Sequence, residues 1–471
     1  MKNIILITLF VICSLFSPIT AKECSPIYKE AIIPIEEPKP GQDVWITVFV
    51  HGIMSIKPHL TAHNFIRFMR DDIGNTIYEK TVEIMCQDSF FYQNQIMQGY
   101  GLRAIAIDNE SLDKSTNTMT RIYDDITKSI EGDHIKNYYF SFGWSALLSP
   151  TVRYLDAKKL FEALEQKVLE FKKKGIEPKV RVIGYSHGGN VSLNLAAIRQ
   201  DFYPLSPLSV DELILVGIPI QTENDYLVGD QLFKKVFNFY SAADRIQPID
   251  FFAFNRFFSQ KTFKSRRQFK LPSNLFQVNL KIMKTTGAES LSSSRFERRK
   301  ELAANFDDPA IISGQSHLLR DISPGHIELW FFGWTPQHFR SHFPLSPLPA
   351  FVFIPLIIHY LNNDENQLDY RKTIIADLRP DQEAMVLKQY KKNCYQKVVP
   401  FVTKAFRDYL EKIALKGKPE CFSAHEYDKH IRDAYEKAVC LKQEEMETNP
   451  PVTKVNKRTA FKQCDCACSS N

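Results

Sequence analysis

The run Val180-Arg-Val-Ile-Gly-Tyr-Ser-His-Gly-Gly-Asn-Val191 constrains the fold of this chain more than any other. Val180 to Ile183 alternate and are rich in β-branched residues, which predicts a strand. Gly184, Ser186 and Gly188 then form G-x-S-x-G, and the apolar run from Val191 to Ile198 favours a helix. Strand, sharp turn and helix form the setting in which a serine oxygen is lifted clear of a sheet edge as a nucleophile. Such a turn strains the serine backbone, so the residues two positions away on each side must be nearly without side chains. Gly184 and Gly188 meet that need, and Gly189 lets the helix pack close.

A second buried strand is predicted at Asp43 to Val50, a nearly continuous apolar stretch of the kind found inside parallel sheets. It runs directly into His51-Gly-Ile-Met54, where Gly52 permits a turn and the amide of Ile53 can face a substrate oxygen. The matching second amide is that of His187, directly after the serine.

At Phe49-Val-His-Gly-Ile53 and Ile183-Gly-Tyr-Ser-His-Gly-Gly189 the chain resembles the serine lipases and esterases of the α/β-hydrolase superfamily. The resemblance covers residues 43–361. It implies an α/β fold, a doubly wound, mostly parallel sheet with helices on both faces, and ester hydrolysis through an acyl-enzyme. The superfamily order is serine, acid, histidine. Asp244 lies in the turn after a predicted strand, Val236 to Tyr240, where the superfamily holds its acid; Asp250 and Asp225 are the alternatives. His326, in Ser-Pro-Gly-His326, fits the loop that would carry the histidine, with His317 as the alternative. On this reading Ser186, Asp244 and His326 are the catalytic residues, Ile53 and His187 supply the oxyanion amides, and His51, Gly52, Gly184 and Gly188 support the two turns. No metal or organic cofactor is required. His338 and His342 are four apart, but without H-E-x-x-H they do not predict a zinc site.

The remaining organisation is read from composition. Across 471 residues, 44% hydrophobic and 24% charged side chains predict a packed globular core. A net charge of +6 is too weak to predict nucleic-acid binding. The expected partner is a small-molecule or lipid ester substrate. The basic cluster Lys264 to Lys270 reads as a solvated face, with contact to an anionic lipid surface as the alternative. Oligomeric state is not legible.

Residues 1–21 read as a signal peptide, with Lys2, an apolar stretch from Ile4 to Phe16, and a small-residue cleavage site ending at Ala21. Export to a periplasm or outside the cell is therefore expected. Export permits disulfides, and nine cysteines are present, but their pairing cannot be read. Residues 22–42 read as a linker, and 43–361 as the hydrolase domain, with insertions at about 55–136 and 285–314. Leu275 to Met283 reads as the last strand of its core. Residues 362–447 are rich in Lys and Glu and predict a helical C-terminal appendage, with an apolar stripe through Val398, Phe401, Phe406, Tyr409, Leu410 and Ile413. Residues 448–471 read as a flexible tail carrying Cys464, Cys466 and Cys468.

Overall fold

The computed structural model describes residues 38–39, 41–53, 67, 71–94, 100–107, 114–245, 259–286, 318–335, 339–369, 371–389, 395–419 and 422–448. The expected signal peptide, most of the expected linker, the second expected insertion beyond Thr286, the cysteine-bearing tail beyond Thr448, Asp250, His317 and His338 lie outside the described residues.

In chain order the elements are β1 (Asp43–Val50), α1 (Ile77–Gln87), α2 (Ser89–Asn94), β2 (Gly101–Ala104), α3 (Lys114–Glu131), β3 (Ile135–Gly143) and α4 (Pro150–Lys173). There follow β4 (Lys179–Tyr185), α5 (His187–Phe202), β5 (Val210–Val216), β6 (Phe233–Tyr240), β7 (Leu275–Thr286), β8 (Leu318–Asp321) and α6 (His326–Trp330). The last are α7 (Ile354–Asn363), β9 (Ile374–Arg379), β10 (Ala384–Gln389), β11 (Tyr395–Pro400), α8 (Lys404–Lys416) and α9 (Ala424–Thr448).

The strands form one sheet in the order β11-β10-β9-β7-β6-β5-β4-β1-β3-β2, with β8 paired to β7 off this path. Pairing is parallel from β3 through β1, β4, β5, β6 and β7 to β9. The ends are antiparallel: β2 on β3, and β10 and β11 beyond β9. The fold is α/β, doubly wound and mostly parallel, as the two motifs imply.

Side chains of a strand alternate between faces. Phe49, Tyr139, Ile183, Ile214 and Phe237 enter one apolar cluster with Met119, Ile122 and Tyr123 of α3 and Ile354 and Ile357 of α7. The intervening residues Val48, Val50, Val182, Leu213, Leu215 and Val236 are equally buried, on the face where α4 and α5 pack together. Both faces of the central strands are thus dry, which is why they read as continuous apolar runs.

The connection from β1 goes out to β3, and the chain then crosses back to lay β4 on the other side of β1. The strand order reverses between β1 and β4. Outside the carboxyl ends of such a pair the two connections part and leave a crevice. His51-Gly52-Ile53 and Ser186 lie at those two ends.

The reading of residues 362–447 as a helical appendage is corrected. β9 pairs in parallel with β7, and β10 and β11 extend the sheet from it, so β7 is an interior strand and not the last of the core. Asp377 and Arg379 on β9 gave the segment its surface-like composition, yet both are buried, with Asp377 accepting from Arg379 at 3.0 Å and from Lys388 at 2.9 Å. The helices α8 and α9 follow the strands. α9 folds back on α1, with Tyr427 and Ala434 packed among Val82, Met85 and Phe91. His430 is stacked on Phe90 at 3.9 Å and bonded to Asp88 at 2.7 Å. Cys86, whose thiol donates to the Ser145 carbonyl at 3.8 Å, and Cys440 are in no disulfide among the described residues, and the other cysteines lie outside them.

A chain ended after Leu361 would lose β9 to β11 and uncover the edge of β7. Ile374, Leu378 and Leu387 alone each contribute about 1.5–3 kcal/mol by burial. Residues 1–361 should be insoluble or unfold without cooperativity in thermal circular dichroism; a soluble fragment with a sharp transition would contradict this.

Candidate active site

Ser186 joins β4 to α5 with φ 50° and ψ −130°, a backbone that side-chain-bearing residues seldom adopt. A serine at the head of a helix ordinarily turns its hydroxyl onto an amide of the first turn. Ser186 makes no such bond. Its Oγ stands 3.0 Å from Nε2 of His326 instead. The strained bend is held by its own main chain: the Ser186 amide donates to the Val216 carbonyl at 2.9 Å, and the Gly189 amide donates to the Ser186 carbonyl at 2.9 Å.

Close approach dictates the motif glycines. A β-carbon at Gly188 would lie 2.1 Å from the His51 carbonyl oxygen, and one at Gly184 would lie 2.6 Å from Cα of Gly189. The head of α5 is thus driven against the end of β1. A β-carbon on Gly52 would in turn touch Cβ of Ser186 at 3.0 Å. The His51-Gly52-Ile53 turn is therefore packed against both the serine and the head of α5.

His326 opens α6, and its Nδ1 is 2.7 Å from Oδ2 of Asp244 in the turn after β6. The serine, aspartate and histidine follow three different strands, β4, β6 and β8, and meet in a continuous chain of hydrogen bonds. Ser186 retains 5% and His326 9% of their surface, while Asp244 is wholly buried. A buried carboxylate against Nδ1 fixes that nitrogen as the proton donor and leaves Nε2 as an acceptor facing the serine.

Two other described histidines lie at this end of the sheet. His51 stacks on Trp144 at 5.7 Å; its Nδ1 lies 2.7 Å from the Gly52 carbonyl, and its Nε2 is 3.4 Å from the Trp144 amide. Burial pushes its pKa down to about 4, against the weaker pull of the Gly52 carbonyl and Asp156. His187 has its Nδ1 against the guanidinium of the buried Arg153, which can only donate. Arg153 also reaches Oε1 of Gln221 at 3.5 Å. Among the sequence candidates, Asp225 does not join the chain: it is bound by Arg266 through both oxygens, at 2.5 and 2.7 Å.

Several residues here carry no motif signal. Gly217, at φ 61°, ends β5 beneath the site; a β-carbon there would lie 3.4 Å from Nδ1 of His326 and 3.5 Å from Oδ2 of Asp244. Tyr185 donates its hydroxyl to the His326 carbonyl at 2.9 Å, and its ring stacks on Trp330 at 5.0 Å. Burial, reinforced by the field of Asp244, holds that phenol protonated far above its ordinary range. The buried Glu328 accepts from the Gly325 amide at 2.5 Å, and Arg340 clamps it at 2.5 and 2.8 Å while donating to the Ser323 carbonyl. The loop presenting His326 is thereby fixed on both sides. Among the described residues, no group of three or more His, Cys, Asp or Glu is placed to hold a metal ion. No helix among them is long and apolar enough to cross a membrane.

No protein-family model matches the sequence, and no curated protein does. Among solved structures the chain is similar to the phospholipase PlaB from Legionella pneumophila in complex with thio-NAD. The identity is 9% and the TM-score 0.25, over 76% of this chain and 67% of that one. A likeness at that TM-score assigns no function to this chain.

Two outcomes follow from this geometry. Gly188→Ala should lower the urea midpoint by the equivalent of about 3 kcal/mol or more, because its methyl meets backbone and not a movable side chain; an unchanged midpoint would contradict the packing described. His51 has a folded pKa below its unfolded value, so its contribution to stability is complete above about pH 6.5 and is lost as the pH falls towards 4. The loss should approach about 3 kcal/mol at 1.36 kcal/mol per unit. Chemical denaturation of His51→Asn should show a flatter acid side over that window, and an identical slope would remove His51 as the cause.

Proposed function

We propose that this chain is an exported serine hydrolase of the α/β-hydrolase superfamily, cleaving carboxylic esters of lipase or esterase type. The observation that carries the reading is the unbroken chain from Ser186 Oγ to His326 Nε2 at 3.0 Å and from His326 Nδ1 to Asp244 Oδ2 at 2.7 Å. It stands where the strand order reverses, beside two amides that can face a carbonyl oxygen.

The chemistry that this arrangement supports runs in two halves. Nε2 of His326 takes the proton of Ser186 as Oγ bonds to the ester carbonyl carbon. The carbonyl electron pair moves to its oxygen, and the amides of Ile53 and His187 hold the resulting oxyanion. Each such donor is worth about 10²–10³ in turnover. The tetrahedral centre then collapses, the ester C–O bond breaks, and the imidazolium gives its proton to the departing alcohol. In the second half His326 takes a proton from water, the hydroxide oxygen adds to the acyl carbon, and Ser186 leaves with the proton. Asp244 holds the imidazole in register throughout and balances its transient positive charge. The substrate is a small-molecule or lipid ester, and residues 1–21 direct the chain out of the cytoplasm.

A fluorophosphonate probe should label wild type at Ser186, and nitrophenyl esters of rising chain length should be turned over. Ser186→Ala should abolish labelling and lower turnover by about 10⁴-fold or more while remaining folded. Turnover that survives in Ser186→Ala would sink the proposal. Retention of the acyl group on added alcohol in preference to water would assign the same site to acyl transfer.

A further inference from the structure

Two polar side chains in the middle of the sheet have no place in the chemistry above. Asn238 on β6 is wholly buried and Gln277 on β7 nearly so, at positions paired across the two strands. Polar groups are costly in such surroundings unless bonded. Both hold the same short segment, residues 259–263. Asn238 donates to the Lys261 carbonyl at 3.0 Å. The Gln277 amide accepts from the Phe263 amide at 2.6 Å and donates to the Phe263 carbonyl at 3.1 Å, as a neighbouring strand would. Gln260 adds a two-way bridge to Ile220, with both bonds at 2.9 Å, and the Phe263 side chain is buried. The segment is a strap, fastened along its length to β6, β7 and the connection after β5.

What the strap delivers is the ammonium of Lys261. Its Nζ donates to the carbonyls of Ser241 at 3.1 Å, Ala242 at 3.0 Å and Asp244 at closer range. An ammonium has three N–H donors, and the three carbonyls of this turn use all of them. The turn is the one that carries Asp244. Within the turn the bonds are longer: the Asp244 amide donates to the Ser241 carbonyl at 3.3 Å, the Ala243 amide to Ser241 Oγ at 3.2 Å, and the Ala242 amide to Asn279 Oδ1 at 3.3 Å. The charge-assisted bonds from Lys261 are stronger than these.

We propose that Lys261 is a positioning residue for the Asp244 carboxylate, delivered to the acid turn by a strap that Asn238 and Gln277 anchor. The inference rests on the reading of Ser186, His326 and Asp244 as a hydrolytic site. Lys261 acts through the main chain of the turn. It fixes where Oδ2 of Asp244 meets His326, and hence where Nε2 meets Ser186. Its effect falls on the chemical step and not on substrate binding. Burial holds the ammonium below its ordinary pKa, opposed by the field of the Asp244 carboxylate. Rising pH therefore removes one of its three donors earlier than in an exposed lysine.

The test is nitrophenyl ester kinetics on full-length wild type, Ser186→Ala, Lys261→Met, Lys261→Arg and Asn238→Leu. Lys261→Met should lose about 10- to 100-fold in kcat, the range expected when a catalytic group shifts by up to an ångström, with KM within about twofold. Asn238→Leu, which loosens the strap, should move kcat the same way by less. In Lys261→Arg, whose guanidinium stays protonated, the alkaline fall of kcat/KM should lie at higher pH than in wild type. A Lys261→Met kcat within about twofold of wild type, a loss confined to KM, or an unmoved alkaline limb in Lys261→Arg would overturn the inference. Should Lys261→Met fail to fold, the Arg profile and Asn238→Leu decide. Persistent turnover in Ser186→Ala would instead remove the hydrolytic reading itself. An inactive Ser186→Ala beside an unaffected Lys261→Met removes the strap alone.

Discussion

A positive φ at Ser186 is the constraint on which the other parts of the site depend. Holding a residue with a side chain there costs about 1–3 kcal/mol, which the surroundings must return. They do so by making any other path impossible. The Gly189 amide closes on the Ser186 carbonyl, the Ser186 amide is taken by Val216, and the head of α5 lies so near the end of β1 that only glycine fits at 188. β1 and β4 must then be neighbours with α5 crossing their ends, which is the arrangement the reversal of strand order creates. The bend and the sheet topology specify each other.

The same crowding sets three histidines in different surroundings. His51, His187 and His326 all lie at this end of the sheet, and their partners set their states. His51 meets a carbonyl and an amide inside an apolar shell, so it stays neutral down to about pH 4 and serves as a wedge behind the turn at Gly52. His187 meets a guanidinium, which its Nδ1 can only accept from. His326 alone meets a carboxylate on one nitrogen and a hydroxyl on the other. Proton transfer needs that asymmetry, because an imidazole must gain charge without leaving its place.

Local signals carried far in this sequence. The strand and bend around Ser186 were legible because strained backbone demands glycine and a buried strand demands β-branched residues. The order of Ser186, Asp244 and His326 was legible because each stands just past a strand or loop of recognisable pattern, and the structure brings these three side chains together. The continuation of the sheet through β9, β10 and β11 was not legible. Asp377 is paired with both Arg379 and Lys388 within the fold, and such a charge cluster has the composition of a solvated face. Gly217, and the Glu328 and Arg340 clamp, escaped for a related reason. Their partners are far away in sequence, and nothing local distinguishes a glycine that makes room for an imidazole from one that merely ends a strand.

The extension beyond β7 also bears on the site. Were β7 an edge, the segment lying over β6 and β7 would rest on a strand with one unpaired flank, free to fray. With β9 in parallel register from Val278 to Ile282 and β6 paired from Leu275 to Asn279, β7 is held on both sides at Val278 and Asn279, directly after Gln277. The turn bearing Asp244 takes support from Asn279, and Tyr240 at its threshold reaches Thr373, immediately before β9, at 3.4 Å. A carboxylate that must meet an imidazole to within a few tenths of an ångström is thus referred, through β6 and β7, to strands that follow it by more than a hundred residues. Residues past 361 belong to the scaffold of the reaction centre, and the sheet needs its full width to hold one turn still.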